Sequence, residues 1–167
     1  MDCQTLKELD ARYIAGTYKR SDLCLERGEG ATGYTFEGRE VIDFSSGIGV
    51  NSLGYSEPGW VAAITRQAVK LQHTSNLYYT QPAVELAELL IEKTGMSKVF
   101  FANSGAEANE GAIKTARKYS SDKYGEGRHG ILSLLHSFHG RTMTTITATG
   151  QEQYHKHFHP FAQGFVY

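Results

Sequence analysis

Ser104-Gly105-Ala106-Glu107-Ala108-Asn109-Glu110 places small residues and acids where a short apolar run gives way to helical spacing. Ser104 and Glu107 stand three positions apart, the spacing of a capping box. Ser104 is therefore expected as an N-cap, with the backbone N–H groups of Gly105 and Ala106 unpaired in the first turn. Such a turn suits a small dianion, because the helix dipole favours negative charge there and small side chains let a phosphate reach the backbone. A plain helix cap without ligand has the same spacing. Phe138-His139-Gly140-Arg141-Thr142 follows a second apolar run, at the carboxyl end of an expected parallel strand, where open α/β sheets bind ligands. Phe138 can stack on a flat heteroaromatic ring, and Arg141 can grip a carboxylate through paired hydrogen bonds, as lysine cannot. Taken alone, Phe138 also reads as a core residue and Arg141 as a solvated charge.

The elements that must position these residues are legible as changes of period. Leu23 to Phe44 reads as a β-meander of short antiparallel strands, with Gly28-Glu29-Gly30 and Glu37-Gly38 as turn signals. Ser45 to Gly54 is an irregular, Ser- and Gly-rich connection of the kind that lines a pocket or runs against a partner. Helical spacing begins after Ser56, with Pro58 in the first turn and Trp60, Ile64, Ala68 and Leu71 on one face. A second helix follows Thr80, with Pro82 near its start and Gly95 at its end. Lys98-Val99-Phe100-Phe101-Ala102 and Ile131-Leu132-Ser133-Leu134-Leu135 read as buried strands flanking a helix from Ser104 to about Ser120. Strand, helix, strand is the βαβ unit of a parallel sheet, so the fold class is α/β.

Bulk composition narrows the function classes. Of 167 residues, 40% are hydrophobic and 21% charged, which is a globular composition. A domain of this length can bury roughly 70% of the surface its unfolded chain exposes. The 17 Lys and Arg nearly balance 18 Asp and Glu without any block of like charge, so nucleic acid is not an expected partner. No apolar stretch has the length of a membrane span, and Met1 to Asp10 has no apolar leader core, so a cytoplasmic location is expected. The two cysteines, Cys3 and Cys24, form no disulfide framework or CxxC motif, which fits a reducing compartment.

Together the Ser104 to Asn109 and Phe138 to Thr142 segments resemble the class III aminotransferases, whose phosphate turn reads Ser-Gly-Ala/Thr-Glu-Ala-Asn and whose next strand ends in aromatic-x-Gly-Arg-Thr. Glu26 to Gly30, the Gly38 to Phe44 strand and Ser46-Gly47-Ile48-Gly49-Val50 resemble the family's N-terminal segment. His73 to Tyr78 is similar to its acetylornithine branch in particular. Thr35, where the family often has Asp, and Gly54-Tyr55, where Gly-His is common, depart from it. The resemblance implies a fold-type I enzyme with a mostly parallel sheet, working as a homodimer with pyridoxal 5'-phosphate on an amino acid and a 2-oxo acid. It further implies an N-terminal segment with the meander over residues 1–55 and the first part of the cofactor-binding large domain over residues 56–167.

By position, the resemblance assigns Ser104, Gly105 and Ala106 to the phosphate, Phe138 to the pyridine ring and Arg141 to the substrate α-carboxylate. Tyr18 is expected to line the substrate pocket, and Gly47 stands where ornithine-specific relatives have a tyrosine. The lysine that forms the Schiff base lies downstream of Tyr167 in this family, so no catalytic residue is assigned and the chain alone is expected to be inactive. Gly164-Phe165-Val166-Tyr167 has the look of an entering strand. His155, His157 and His159 alternate as metal ligands on one strand face would, but they have no evident fourth ligand, and no metal is expected. The readings carried forward are an acetylornithine aminotransferase, a related ω-aminotransferase of ornithine, succinylornithine or 4-aminobutyrate type, and a chain that binds or assembles without turnover.

Overall fold

The computed structural model describes residues 1–167. By compactness they form two units, Met1–Tyr78 and Tyr79–Tyr167. The helix beginning at Pro58 groups with the first unit by contact, while a domain boundary after residue 55 remains a proposal about the longer family fold.

The first unit opens with helix α1, Cys3–Tyr13, which the sequence reading misses. Its start is nevertheless written in Asp2, whose carboxylate accepts the Thr5 N–H at 2.7 Å as an N-cap. Ion pairs Lys7–Asp22 and Asp10–Arg20 lay the following segment along this helix. That alignment brings Cys3 to Cys24, and the two are joined by a disulfide with Cα atoms 5.7 Å apart. The expectation of two unpaired thiols is therefore corrected. A sequence separation of 21 gives no sign of the pairing, which only the folding of α1 onto the segment entering the meander creates.

The meander forms as expected, with β1 Leu25–Glu29, β2 Thr32–Thr35 and β3 Glu40–Ile42 in antiparallel order. Tyr55 seals one end of it, exchanging backbone hydrogen bonds with Gly30 at 3.0 and 2.7 Å. A side chain at residue 28 would meet the Tyr55 ring at 2.4 Å, so Gly28 is what admits that ring. Asp43 then fixes the irregular connection. One carboxylate oxygen accepts the Ser45 hydroxyl at 2.6 Å and the Ser45 and Ser46 N–H groups at 2.7 and 3.1 Å, and the other accepts the Tyr55 hydroxyl at 2.8 Å. These donors, the Ser45 hydroxyl first, hold the Asp43 carboxyl at about 2, against 3.8 ordinarily. Between the anchors lies the short turn α2, Ser46–Gly49, in which Gly47 and Ile48 are left-handed. Helix α3, Pro58–Lys70, follows, its first N–H groups capped by the Glu57 carboxylate.

The second unit begins with α4, Gln81–Thr94, closed by Gly95 in the left-handed conformation that an L side chain resists. Residues 98–102 then depart from expectation, for they run to α5, Gly105–Tyr124, without pairing in a ladder. Phe100 lies against α5 where Gly111 leaves room, a Cβ there meeting its ring at 2.9 Å, and stays largely exposed. An apolar run is a strand only where another strand bonds to it, and this run has none within the chain. The parallel pair that does form is β4, Ile131–Leu132, with β5, Phe165–Val166, and its crossover contains α6, Met143–Ala148, rather than α5.

Helix α6 carries the tightest packing of the second unit. Thr145, Ile146, Thr147 and Ala148 are buried, and α6 touches both α5 and β5. Buried threonine hydroxyls face two ways. Thr147 and Thr149 donate to Met143 and Thr145 carbonyls one turn back, at 2.7 and 3.0 Å, while accepting the N–H groups of Ala162 and His139 at 3.2 and 3.0 Å. Elsewhere burial is thin. The chain exposes 13687 Å², whereas a folded monomer of 18.5 kDa exposes about 8,200 Å². About half of the unfolded surface is covered, short of the roughly 70% expected from length.

Candidate functional site

Ser104 caps α5 as expected, its hydroxyl accepting the Glu107 N–H at 3.2 Å. The reciprocal arm reaches one residue further than a capping box prescribes. Glu107 accepts from the Asn103 N–H at 2.6 Å and its side-chain amide at 3.3 Å, so the turn before the cap is held by the same carboxylate. Gly105 and Ala106 are first-turn residues, whose N–H groups have no acceptor within the helix. A Cβ on Gly105 would meet nothing within 4 Å, so space for a ligand lies beside that backbone.

The second motif folds directly onto this helix. Gly140 is buried with φ +132°, and a Cβ on it would stand 2.6 Å from the Cβ of Ala106 and from the Thr145 hydroxyl. Two polar contacts secure the approach. The Asn109 side-chain amide donates to the His139 carbonyl at 2.8 Å, and the Thr142 hydroxyl donates to Glu110 at 2.5 Å. Thr142 also starts α6, in a capping box with Thr145. Ser104, Gly105, Ala106 and the Phe138 to Arg141 turn are thus brought together through Ala106 and Gly140.

Phe138 is 54% exposed and meets Tyr154 edge to face, with ring centroids 5.7 Å apart and planes at 68°. The Arg141 guanidinium lies 5.3 Å from the Tyr154 centroid and 6.0 Å from that of Phe138. Tyr154 escapes the sequence reading because no period or motif marks it. Asn109 and Glu110 sit one helical turn beyond the phosphate turn, a spacing that signals their proximity to it but not to His139 and Thr142. Tyr18 belongs to the first unit, on the segment between α1 and β1, and is 63% exposed.

The alternating histidines do not lie on a strand. The segment holds the 3-10 turn Glu152–Tyr154 and a left-handed residue at His157. His155 Nε2 sits 3.0 and 2.7 Å from the Ile146 and Thr149 carbonyls at the end of α6, and the His159 ring packs on Phe161 with centroids 4.2 Å apart.

The chain is 56% identical over 99% of its length to an acetylornithine aminotransferase of Haemophilus ducreyi, covering 42% of that protein. It is 47% identical over 99% of its length to one of Methanothermobacter thermautotrophicus, covering 41%. Among solved structures it superposes on the ornithine aminotransferase of Toxoplasma gondii with TM-score 0.93 at 26% identity, covering 99% of this chain and 40% of that one. A further structure of that enzyme, with TM-score 0.92 at 26% identity over 98% of this chain and 39% of that one, has partial occupancy of PLP at its active site. The chain therefore spans about two fifths of the length of the relatives it matches, and its α/β architecture is that part of the fold-type I aminotransferase fold. The family description Aminotransferase class-III matches residues 13–167, and the chain belongs to that family.

Proposed function

We propose that this chain supplies the phosphate cradle, ring contact and carboxylate clamp of a pyridoxal-phosphate-dependent aminotransferase that moves an amino group between N2-acetyl-L-ornithine and 2-oxoglutarate, a step of arginine biosynthesis. The observation that carries the reading is the seating of Gly140 on Ala106, which joins the phosphate turn to the Phe138 to Arg141 turn. The residues suit the cofactor. Open space beside Gly105, a capped helix start and a half-exposed Phe138 offer a dianion site and a stacking ring. Bound there, pyridoxal phosphate supplies an electron sink for the charge left when an amine loses its α-proton. Within this assignment Ser104, Gly105 and Ala106 hold the phosphate, Phe138 orients the ring, and Arg141 aligns the α-carboxylate of either substrate.

The acetylated amine is favoured over free ornithine by Gly47, which offers no side-chain hydroxyl to the free α-amine that only ornithine carries, with Tyr18 lining the same pocket. We place the enzyme in the cytoplasm as a homodimer on the strength of the family resemblance. An ω-aminotransferase acting on ornithine is the second reading, supported by the superposition on the Toxoplasma gondii enzyme. A chain extended to the length of its relatives decides between them by kcat/KM for N-acetylornithine and ornithine with 2-oxoglutarate. Preference for N-acetylornithine is expected, and preference for ornithine would refute the substrate assignment. Gly47→Tyr tests the residue itself. A Cβ at this position meets only Asn51, at an ordinary 3.5 Å, but the φ of +59° strains any L side chain by about 1 to 2 kcal/mol, so the change should move preference towards ornithine at some cost in stability.

A further inference from the structure

Tyr154 has no part in the roles assigned so far, yet it touches both residues that would face the reacting molecules. It closes the 3-10 turn Glu152–Tyr154, its N–H donating to the Gln151 carbonyl at 3.0 Å, and it is half-buried. That turn is itself tied back to the segment leading into Phe138, because the Gln151 side-chain amide donates to the Ser137 carbonyl at 3.1 Å and the Gly150 N–H donates to the Ser137 hydroxyl at 3.2 Å. The ring of Tyr154 therefore rides on the same loop as Phe138 instead of drifting against it.

We propose that Tyr154 is a positioning residue, which fixes the plane of Phe138 through an edge-to-face contact and holds the Arg141 guanidinium by its aromatic face. An aromatic ring attracts a guanidinium through the negative charge of its face, and two rings settle edge to face for the same quadrupolar reason. A long arginine side chain has many rotamers, and a ring 5.3 Å from the guanidinium selects among them before substrate arrives. Carboxylate recognition and cofactor stacking are thereby set by one side chain that meets neither ligand. The inference rests on the roles given to Phe138 and Arg141 above.

The test uses the holoenzyme at the length of its relatives and the binding of maleate, a dicarboxylate with no amino or keto group, read by the absorbance and circular dichroism of the bound cofactor. Tyr154→Phe keeps the ring and should bind maleate within about twofold of the parent. Pentafluorophenylalanine at position 154 keeps the shape but reverses the charge of the ring face, and should weaken maleate by several-fold, up to about tenfold. Tyr154→Leu should do the same, raising KM for both substrates more than it lowers kcat and changing the cofactor's dichroism. Equal maleate affinity in the phenylalanine and pentafluorophenylalanine enzymes overturns the proposal, whether or not the leucine enzyme folds. Arg141→Lys, run in parallel, separates two failures. Unchanged maleate affinity there overturns the assignment of Arg141 and this inference with it, whereas a loss there beside identical aromatic variants overturns the inference alone.

Discussion

The Cβ of Ala106 stands 2.6 Å from where a Cβ on Gly140 would be, closer than two carbons can approach without bonding. Gly140 is therefore required twice, for its φ of +132° and for the contact. Gly140→Ala should destabilise the enzyme by about 2 kcal/mol or more, since an added methyl must displace backbone in a buried contact and a side chain resists this φ. Denaturant unfolding of the holoenzyme checks this, along with faster loss of pyridoxal phosphate on dialysis. Parental stability and retention would mean that the two motifs are not rigidly joined.

Arg141→Lys should lower kcat/KM by about 10- to 100-fold for the amino donor and for 2-oxoglutarate alike, because a lysine keeps the charge but not the paired, planar hydrogen bonds. Steady-state kinetics with each substrate varied in turn is the check. A loss confined to one substrate would assign Arg141 to a side-chain group and not to the shared α-carboxylate.

Asp43 gives a dependence on pH whose sign is fixed. Its carboxyl is held at about 2, below the usual 3.8, so it contributes stability above the unfolded value that is lost as pH falls through the folded one. Amide exchange across residues 45–55, compared with the rest of the chain, should accelerate between about pH 4 and about pH 2. Asp43→Asn should show fast exchange with no such step. Tyr55→Phe removes one of the donors and should move the midpoint upward. A step of the same size in the asparagine variant would point to another carboxylate.

The 167-residue chain by itself should give no glutamate from N-acetylornithine and 2-oxoglutarate, even with excess cofactor, because the lysine the family uses is expected beyond Tyr167. It should also enhance the fluorescence of an apolar dye, since Phe44, Ile48, Leu77, Phe100 and Leu132 stand open. Enzyme-dependent glutamate from a chain of confirmed mass would force a search for a catalytic lysine among those present.

What the sequence makes legible follows the range of the forces involved. Local signals read true, as Pro58, Pro82 and Gly95 mark helix ends and Ser104 caps α5. Strand pairing is a property of two segments, and so Lys98 to Ala102 reads as a strand although no neighbour bonds to it, while β4 and β5 find each other across α6. The same reason hides the disulfide, which depends on α1 lying back along residues 20–25, and hides Tyr154, which depends on a loop returning to Ser137. In the site, motif residues declare themselves by order, whereas the contacts between the motifs declare themselves only in space.

The buried threonines at the end of α6 and at its C-cap restrict the alphabet in which this part of the chain can vary. Valine has nearly the volume of threonine and would pack as well, yet at 147 or 149 it would strand the N–H of Ala162 or His139, which finds its acceptor only in that hydroxyl. Serine keeps the oxygen and gives up only a methyl group. Substitutions here are thus sorted by chemistry before size, and a drift towards greater hydrophobicity, harmless in most cores, would unfasten the turn that carries Phe138 and Arg141 at position 149 and the segment around Ala162 at position 147.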